Sequence, residues 1–259
     1  MTLKDVKCFL LDMDGTFYLG DRIIEGSLAF IERVLATGRD YLFLTNNSSH
    51  NADFYVQRLG RMGLKTDRRH VLTSGEATCE VLNARYPGRR AYVLGNEYLL
   101  SEFQEAGVPV DLQSPEIAVI GFDTTLTYKK MQDCCDFVRA GLPYIATHPD
   151  FNCPTETGFM PDIGAIIAFI EASTGRRPDL VVGKPNTGIV DAVTRRTGLG
   201  VRQLAMVGDR LYTDIETGLR SGMLSILVMS GETTEAMLAQ SATVPDLKFD
   251  RLADMIPLL

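Results

Sequence analysis

The amino-acid sequence predicts an α/β fold, with a parallel sheet covered by helices and a second α/β module inserted into the chain. Two observations support this prediction. Short apolar runs alternate with longer helix-like segments, and polar residues follow directly after several of the apolar runs. A length of 259 residues, 45% of them hydrophobic, suffices for one large α/β domain with an insertion.

Five short apolar runs predict the strands of the main sheet. They are CFLLD (8–12), YLFLT (41–45), LVVGK (180–184), LAMVGD (204–209) and SILVM (225–229). Strands that alternate with helices along a chain are typically parallel, because the helices form the crossover connections between them.

Two of the intervening segments have apolar residues at helical spacing and end at a glycine, which is a helix stop signal. They are GSLAFIERVLATG (26–38) and TGIVDAVTRRTG (187–198). The faces that we expect to be buried consist of Leu28, Ile31 and Leu35 in the first helix, and of Ile189, Val190 and Val193 in the second.

A second set of elements lies in the middle of the chain. Strands are predicted at 91–94, 117–121 and 144–147, and helices at about 97–107, 127–140 and 163–174, with a turn-rich segment at 147–162. We therefore expect an inserted α/β domain at 81–178, and a discontinuous core made of 1–80 and 179–259.

Composition argues against several classes of function. The net charge is −7 and basic residues form no run, so nucleic acid is not an expected partner. The N-terminus does not resemble a signal peptide, and no run of about 18 apolar residues predicts a membrane span. Five cysteines without a CxxC pair predict reduced thiols in a cytoplasmic protein, and the presence of only three histidines argues against a zinc site.

Polar residues cluster where the predicted strands end. Any one of them fits a helix cap or a turn, but together they predict a ligand site at the carboxyl edge of the sheet. The candidates are Asp12 and Asp14 after the first strand, Thr45 and Asn46 after the second, Lys184 after the third, and Asp209 and Asp214 after the fourth.

Converging carboxylates raise one another's pKa and oppose folding unless a cation lies between them. Oxygen ligands without histidine or thiolate favour Mg²⁺, which commonly shares its coordination with phosphate. A lysine, a threonine hydroxyl and helix N–H groups would hold the phosphate oxygens. The chain contains neither GxxxxGK[ST] nor GxSxG, so a carboxylate is the expected nucleophile, and the Asp-x-Asp spacing adds an acid/base group beside it.

Four motifs occur in a fixed order: DMDGT, TNN, GKP and GDRLYTD. In this respect the sequence resembles the haloacid dehalogenase-like hydrolase superfamily. The forms DMDGTFYLG, TNNSS and VGKP are similar to its NagD and 4-nitrophenylphosphatase branch. The resemblance implies a Rossmann-like, doubly wound parallel-sheet core with a large α/β cap domain inserted between the second and third motifs.

The resemblance also implies a role for each motif residue in a Mg²⁺-dependent phosphatase. Asp12 would be the nucleophile and Asp14 the general acid/base, while Thr45, Asn46 and Lys184 would bind phosphate. The metal would be bound by Asp12, the backbone carbonyl of Asp14 and Asp209, with Asp214 close to the metal.

The cap is implied to select the leaving group, and its candidate residues are His148, Asp150 and Asn152. His148 stands where some relatives have asparagine. Asp123 is expected to be structural or to lie at a dimer contact. A small phosphorylated metabolite is the expected partner, a homodimer is also expected, and the sequence does not identify the natural substrate.

Three other functions use similar residues. A phosphoacceptor regulatory domain is about half as long and does not need Asp14. A dehalogenase lacks the second aspartate of the Asp-x-Asp pair. A phosphomutase or other phosphotransferase shares the pair, but a phosphosugar mutase usually has a cap between the first two motifs, where this chain has only about 30 residues.

Overall fold

A computed structural model describes residues 1–155 and 158–259, and it confirms the predicted α/β class. The turn-rich segment predicted at 147–162 includes two residues outside this description. In chain order the strands are β1 (Cys8–Leu11), β2 (Tyr18–Leu19), β3 (Arg22–Ile23), β4 (Asp40–Thr45), β5 (Val71–Thr73), β6 (Ala91–Leu94), β7 (Ile117–Ile120), β8 (Tyr144–Ala146), β9 (Asn152–Thr155), β10 (Gly158–Pro161), β11 (Leu180–Val181), β12 (Leu204–Gly208), β13 (Leu224–Val228) and β14 (Leu247–Phe249).

Helices connect most of these strands. In chain order they are α1 (Ser27–Ala36), α2 (Ala52–Arg61), α3 (Ser74–Arg85), α4 (Glu97–Glu105), α5 (Tyr128–Arg139), α6 (Ile163–Thr174), α7 (Thr187–Thr197), α8 (Glu216–Ser221) and α9 (Glu235–Gln240). In residues 1–155 and 158–259, none of these helices has the length and apolar character needed to cross a membrane.

The larger sheet has six strands in the order β14-β13-β12-β1-β4-β5. β1 lies between β12 and β4 and is parallel to both. The predicted strands at 8–12, 41–45, 204–209 and 225–229 are therefore confirmed as members of one sheet. β5 and β14 were not predicted, because each is a three-residue strand with too little pattern to detect.

The predicted strand at 180–184 belongs to a different sheet, so its assignment to the main sheet was wrong. Leu180 and Val181 pair with Ile145 and Ala146 of β8, in a four-stranded sheet of order β11-β8-β7-β6. The sequence shows that a short apolar run forms a strand, but its pairing partner depends on tertiary contacts.

The chain divides into two compact units. The first unit comprises Met1–Thr45, Asp53–Leu72 and Val193–Leu259, and contains the six-stranded sheet. The second unit comprises Asn46–Ala52 and Thr73–Ala192, and contains the four-stranded sheet. The predicted domain limits, with a cap at 81–178, differ from these divisions and stay a prediction.

The buried face of α1 differs from the predicted one. Leu35 is 49% exposed, whereas Phe30, Ile31 and Val34 are buried. Phe30 packs edge-on against Phe9 of β1, with ring centroids 5.5 Å apart. The helix is therefore rotated from the predicted orientation, because the aromatic ring at position 30 lies against the sheet. The predicted face of α7 is confirmed, since all three of its residues are buried.

Candidate active site

Asp12 follows the central strand of the six-stranded sheet. Its N–H donates to the carbonyl oxygen of Val207 at 2.9 Å, which continues the pairing of β1 with β12. Asp209 follows β12 directly, so both residues leave the same edge of the parallel sheet. Carboxylate oxygens of Asp12, Asp209 and Asp214 lie within 4.8 Å of one another. The structure thus brings together three of the residues that were predicted to hold a metal.

The Asp209 side chain is buried against backbone and is 2% exposed. Its Oδ2 accepts a hydrogen bond from the N–H of Glu232 at 2.7 Å, and Oδ1 accepts one from the Thr16 hydroxyl at 3.5 Å. A Cβ atom at Gly15 would lie 2.3 Å from Oδ2, and one at Gly231 would lie 2.0 Å from it. Two glycines therefore let the backbone enclose this carboxylate.

Asp214 lies in a π-helical turn at Leu211–Ile215 and is fully buried. Its Oδ2 accepts a hydrogen bond from the N–H of Arg210 at 3.1 Å. A Cβ atom at Gly208 would lie 2.2 Å from the Asp214 Cγ, so the glycine before Asp209 makes room for this second carboxylate. The Gly-Asp pair of the fourth motif therefore has a packing reason.

The cluster is electrostatically strained without a cation. Burial raises the pKa of Asp209, and the charges of Asp12 and Asp214 raise it further, against the opposing hydrogen bond from the Glu232 N–H. The side-chain atoms that cluster here are carboxylate oxygens, which are the ligands that hard divalent cations prefer. The residues present therefore fit a bound divalent metal.

Arg210 is a charged residue of this site that the sequence prediction did not include. Its Nε lies 3.0 Å from Oε2 of Glu232. Burial lowers the pKa of Arg210, but the carboxylates of Asp12 and Asp209 outweigh this effect and raise it. The carboxylates therefore do not converge alone, since an arginine lies beside them. The sequence signal for this arginine was its position directly after Asp209 in GDRLYTD. One guanidinium still leaves an excess of carboxylates at the site.

Asp14 lies in the turn after β1, and the residue as a whole is accessible to solvent although protein surrounds part of its carboxyl group. The N–H of Gly15 donates to the carbonyl oxygen of Tyr18 at 2.7 Å, and Gly15 has φ +88°, which explains the glycine. Desolvation by the surrounding protein raises the pKa of Asp14, a hydrogen bond from the Gly20 N–H opposes this, and the charge of Asp12 adds to it. A carboxyl group with a raised pKa keeps its proton to higher pH, which suits a general acid.

The hairpin of β2 and β3 is held by Arg58 of α2. The guanidinium lies over the ring of Tyr18 at 4.7 Å, and its Nη2 donates to the carbonyl oxygen of Gly20 at 2.9 Å. The same nitrogen lies 3.3 Å from Oδ1 of Asp21. Because the Gly20 N–H bonds to the Asp14 carboxylate, these contacts also fix one partner of Asp14.

Thr45 ends β4 in the first unit and is 8% exposed. Asn46 and Lys184 both lie in the second unit, where the N–H of Lys184 donates to Oδ1 of Asn46 at 2.8 Å. Nδ2 of Asn46 donates to the Lys184 carbonyl oxygen at 3.0 Å and to Oδ2 of Asp150 at 3.1 Å. The phosphate-binding roles of Thr45, Asn46 and Lys184 stay predictions.

The other residues predicted in the inserted domain have different surroundings. His148 is fully buried, with Nε2 3.1 Å from Oδ1 of Asp162, so a direct substrate contact would require a rearrangement. Asn152 is exposed at the start of β9. Asp123 is buried and lies 2.7 Å from Nζ of Lys130, an arrangement that fits a structural role. The roles of these residues in specificity or dimerisation stay predictions.

Comparison with protein families gives two matches. Residues 9–109 match a family described as haloacid dehalogenase-like hydrolase, and residues 181–255 match one described as HAD-hydrolase-like. The first match includes the motifs with Asp12, Asp14 and Thr45, and the second includes those with Lys184 and Asp209.

Individual proteins are similar over almost the whole chain. An acid sugar phosphatase of Staphylococcus aureus is 34% identical, covering 98% of each chain. The 5'-nucleotidase YutF of Bacillus subtilis is 31% identical, covering 98% of this chain and 99% of that protein. The solved structure of a 4-nitrophenylphosphatase from Thermotoga maritima is 45% identical, with a TM-score of 0.96 and coverage of 98% of both chains.

Proposed function

Because the chain belongs to the haloacid dehalogenase-like hydrolase family, we propose that it hydrolyses small phosphomonoesters through a phosphorylated aspartate. It is a phosphoric monoester hydrolase, the class to which its named relatives belong. The observation that carries the proposal is the convergence of Asp12, Asp209 and Asp214 within 4.8 Å. This arrangement supports both a nucleophilic carboxylate and a metal beside it.

In the first step, a carboxylate oxygen of Asp12 attacks phosphorus and the bond from phosphorus to the alcohol oxygen breaks. Asp14 gives its proton to that oxygen, and the alcohol leaves. In the second step, Asp14 takes a proton from water as the water oxygen attacks phosphorus, the bond from phosphorus to the Asp12 oxygen breaks, and inorganic phosphate and free Asp12 result. Asp14 suits both steps because its raised pKa brings it closer to neutral pH.

The metal is proposed to be Mg²⁺, held by Asp12, Asp209 and the backbone carbonyl of Asp14, with Asp214 beside it. When bound, Mg²⁺ supplies positive charge to the phosphate oxygens and to the carboxylates. The chain's own contribution is the backbone enclosure of Asp209 by Gly15 and Gly231, which fixes one ligand before metal arrives.

The remaining motif residues are proposed to bind the phosphoryl group. The Thr45 hydroxyl would donate to a phosphate oxygen, and Lys184 would offset the negative charge of the phosphate and of Asp12. Asn46 is proposed to belong to the same subsite, as the family resemblance implies. These roles are supported by the resemblance, and substitution of each residue tests them.

The substrate is proposed to be a small phosphorylated metabolite, with sugar phosphates and nucleoside monophosphates as the first classes to test. The basis is that the relatives include an acid sugar phosphatase and a 5'-nucleotidase. A cytoplasmic location and a homodimer stay predictions.

The test is hydrolysis of 4-nitrophenyl phosphate with Mg²⁺ and with EDTA. We expect turnover with Mg²⁺, its loss in EDTA, and a decrease of about 10⁴-fold or more in Asp12→Asn, because removal of a nucleophile costs factors of this size. Beryllium fluoride mimics the phosphoryl group, and we expect it to be trapped on the carboxylate of Asp12.

The control is Asp136→Asn, which changes an exposed residue of α5 paired with Arg139 at 2.8 Å. It should have the activity of the unmodified protein. Full turnover in EDTA, no turnover with Mg²⁺, or labelling at another residue would refute the proposed mechanism.

A further inference from the structure

The side-chain amide of Asn46 binds both backbone polar groups of Lys184. Its Oδ1 accepts from the Lys184 N–H at 2.8 Å, and its Nδ2 donates to the Lys184 carbonyl oxygen at 3.0 Å. Asn46 is 6% exposed and Lys184 is 2% exposed, so water does not readily replace these hydrogen bonds. The amide therefore fixes the backbone of the lysine predicted to bind phosphate.

The segment before Lys184 is packed closely enough to accept only glycine. A Cβ atom at Gly183 would lie 2.6 Å from Oδ1 of Asn46 and 2.7 Å from the carbonyl oxygen of Thr147. The N–H of Gly183 donates to that same carbonyl oxygen at 2.7 Å. Gly183 therefore fixes the position of the backbone that leads into Lys184 and its hydrogen bonds with Asn46.

Asp150 contacts the nitrogen of the same amide. Both of its carboxylate oxygens accept from Nδ2 of Asn46, at 3.3 and 3.1 Å. A carboxylate only accepts hydrogen bonds, so Asp150 favours the rotamer in which Nδ2 faces it and Oδ1 faces the Lys184 N–H. The Asp150 backbone is held in turn, because its carbonyl oxygen accepts from the N–H of Gly164 in α6 at 2.7 Å.

A metal site at the same place is less favoured by these contacts. Ligand atoms of His148, Asp150 and Asp162 lie within 4.8 Å of one another. However, His148 Nε2 lies 3.1 Å from Asp162, its Nδ1 lies 3.0 Å from the Thr147 hydroxyl, and Asp150 accepts from Asn46. The cluster is already a hydrogen-bonded network.

We propose that Asp150 is a positioning residue that acts through the Asn46 amide to fix the backbone of Lys184. Its catalytic consequence rests on the proposed phosphatase function, but its structural consequence does not. Asp150 would then affect all substrates alike, and not choose among leaving groups as the sequence suggested.

The structural arm of the test measures hydrogen exchange of backbone amides by NMR, without substrate or metal. Asp150→Ala should speed exchange of the Lys184 N–H by about tenfold, because the amide that accepts from it loses its orientation. The Gly183 N–H, bonded to Thr147, should be unchanged and serves as the internal control. Asp150→Asn retains an acceptor oxygen, so its Lys184 N–H should exchange at the rate of the unmodified protein. Unchanged Lys184 exchange in Asp150→Ala would overturn the proposal, whatever the activity.

The catalytic arm compares Asn46→Ala, Asp150→Ala and the double variant. We expect Asp150→Ala to lower kcat/KM about tenfold, the scale of one lost hydrogen bond to a charged group. The factor should be equal for 4-nitrophenyl phosphate, a sugar phosphate and a nucleoside monophosphate. The double variant should match Asn46→Ala, because Asp150 has no other route to Lys184 in the proposal.

The controls separate this proposal from the proposed function. Asp136→Ala should change neither exchange nor activity, and Asp150→Asn should restore most of the activity. Absence of phosphatase activity in the unmodified protein would refute the proposed function. The hydrogen-exchange result would then decide the role of Asp150. Additive effects in the double variant, or ratios that change between substrates, would refute the route through Asn46.

Discussion

At the scale of single residues, two glycines determine how closely the backbone approaches the Asp209 carboxylate. Gly231 has no strained backbone angle, so its identity is explained by space alone: a Cβ atom would lie 2.0 Å from Oδ2 and 2.7 Å from Cβ of Asp209. The whole aspartate side chain would have to move. Because Asp209 is a predicted metal ligand, the glycine acts on the metal site through packing.

Gly231→Ala should therefore weaken Mg²⁺ binding. We expect the Mg²⁺ concentration for half-maximal hydrolysis of 4-nitrophenyl phosphate to rise about tenfold or more, as is typical when the support of a metal ligand is disturbed. Titration of activity against Mg²⁺ measures the effect.

Gly60→Ala is the matched control, because a Cβ atom at Gly60 of α2 would have no heavy atom within 4 Å. This substitution should leave the Mg²⁺ dependence unchanged and favour the helix slightly. Equal Mg²⁺ titrations for Gly231→Ala and the unmodified protein would contradict the packing argument.

The sequence predicted that Asp12, Asp209 and Asp214 would lie together, because they follow apolar runs and parallel strands end at one edge. It did not reveal that Arg210 shares their site, or that Asn46 uses its amide to bind the Lys184 backbone. Both features depend on where a side chain points after folding. A motif gives residue types and spacing, but not the partner that occupies each hydrogen bond.

At the scale of elements, α1 shows how one aromatic residue sets the orientation of a helix. Both possible faces have helical spacing, but Phe30 is fully buried against Phe9, while Leu35 is 49% exposed. Burying the phenyl ring removes more apolar surface from water than burying a leucine. Periodicity alone could not show which face is buried, because large apolar residues recur at helical spacing on both faces.

Phe30→Ala should consequently destabilise the protein far more than Leu35→Ala. We expect a loss of about 3–5 kcal/mol in the free energy of unfolding for Phe30→Ala, since it leaves a cavity in the core. Leu35→Ala, the matched control on the same helix, should change it by about 0.5 kcal/mol or less. Urea unfolding of both variants measures the difference, and similar losses would show that the predicted face was the buried one.

Strand pairing was the least predictable feature at this scale. The runs that became β1, β4, β12 and β13 were recognised, whereas β11 was assigned to the wrong sheet. The hairpin of β9 and β10 lies where the sequence indicated turns, and its described residues from Gly158 to Pro161 are exposed. Such strands have no buried face, so hydrophobic alternation cannot indicate them.

At the scale of the whole molecule, the chain has a net charge of −7, and three carboxylates converge inside its larger sheet unit. Folding brings these charges together, and burial raises the pKa of Asp209 in consequence. The folded state is therefore less stable without a cation than it would be with one fewer carboxylate. A metal that binds only the folded state reverses this cost.

Mg²⁺ should accordingly raise the melting temperature, and Asp209→Asn should remove most of that response while making the metal-free protein more stable. At 100 times its Kd, Mg²⁺ adds about 2.7 kcal/mol, and each kcal/mol shifts Tm by about 2–4 °C in a domain of 150–250 residues. Thermal unfolding in Mg²⁺ and in EDTA measures both effects. Asp136→Asn changes the net charge equally at an exposed site, so it should retain the full response to Mg²⁺. A lower metal-free Tm in Asp209→Asn would contradict the argument that the cation stabilises the fold by relieving repulsion within the cluster.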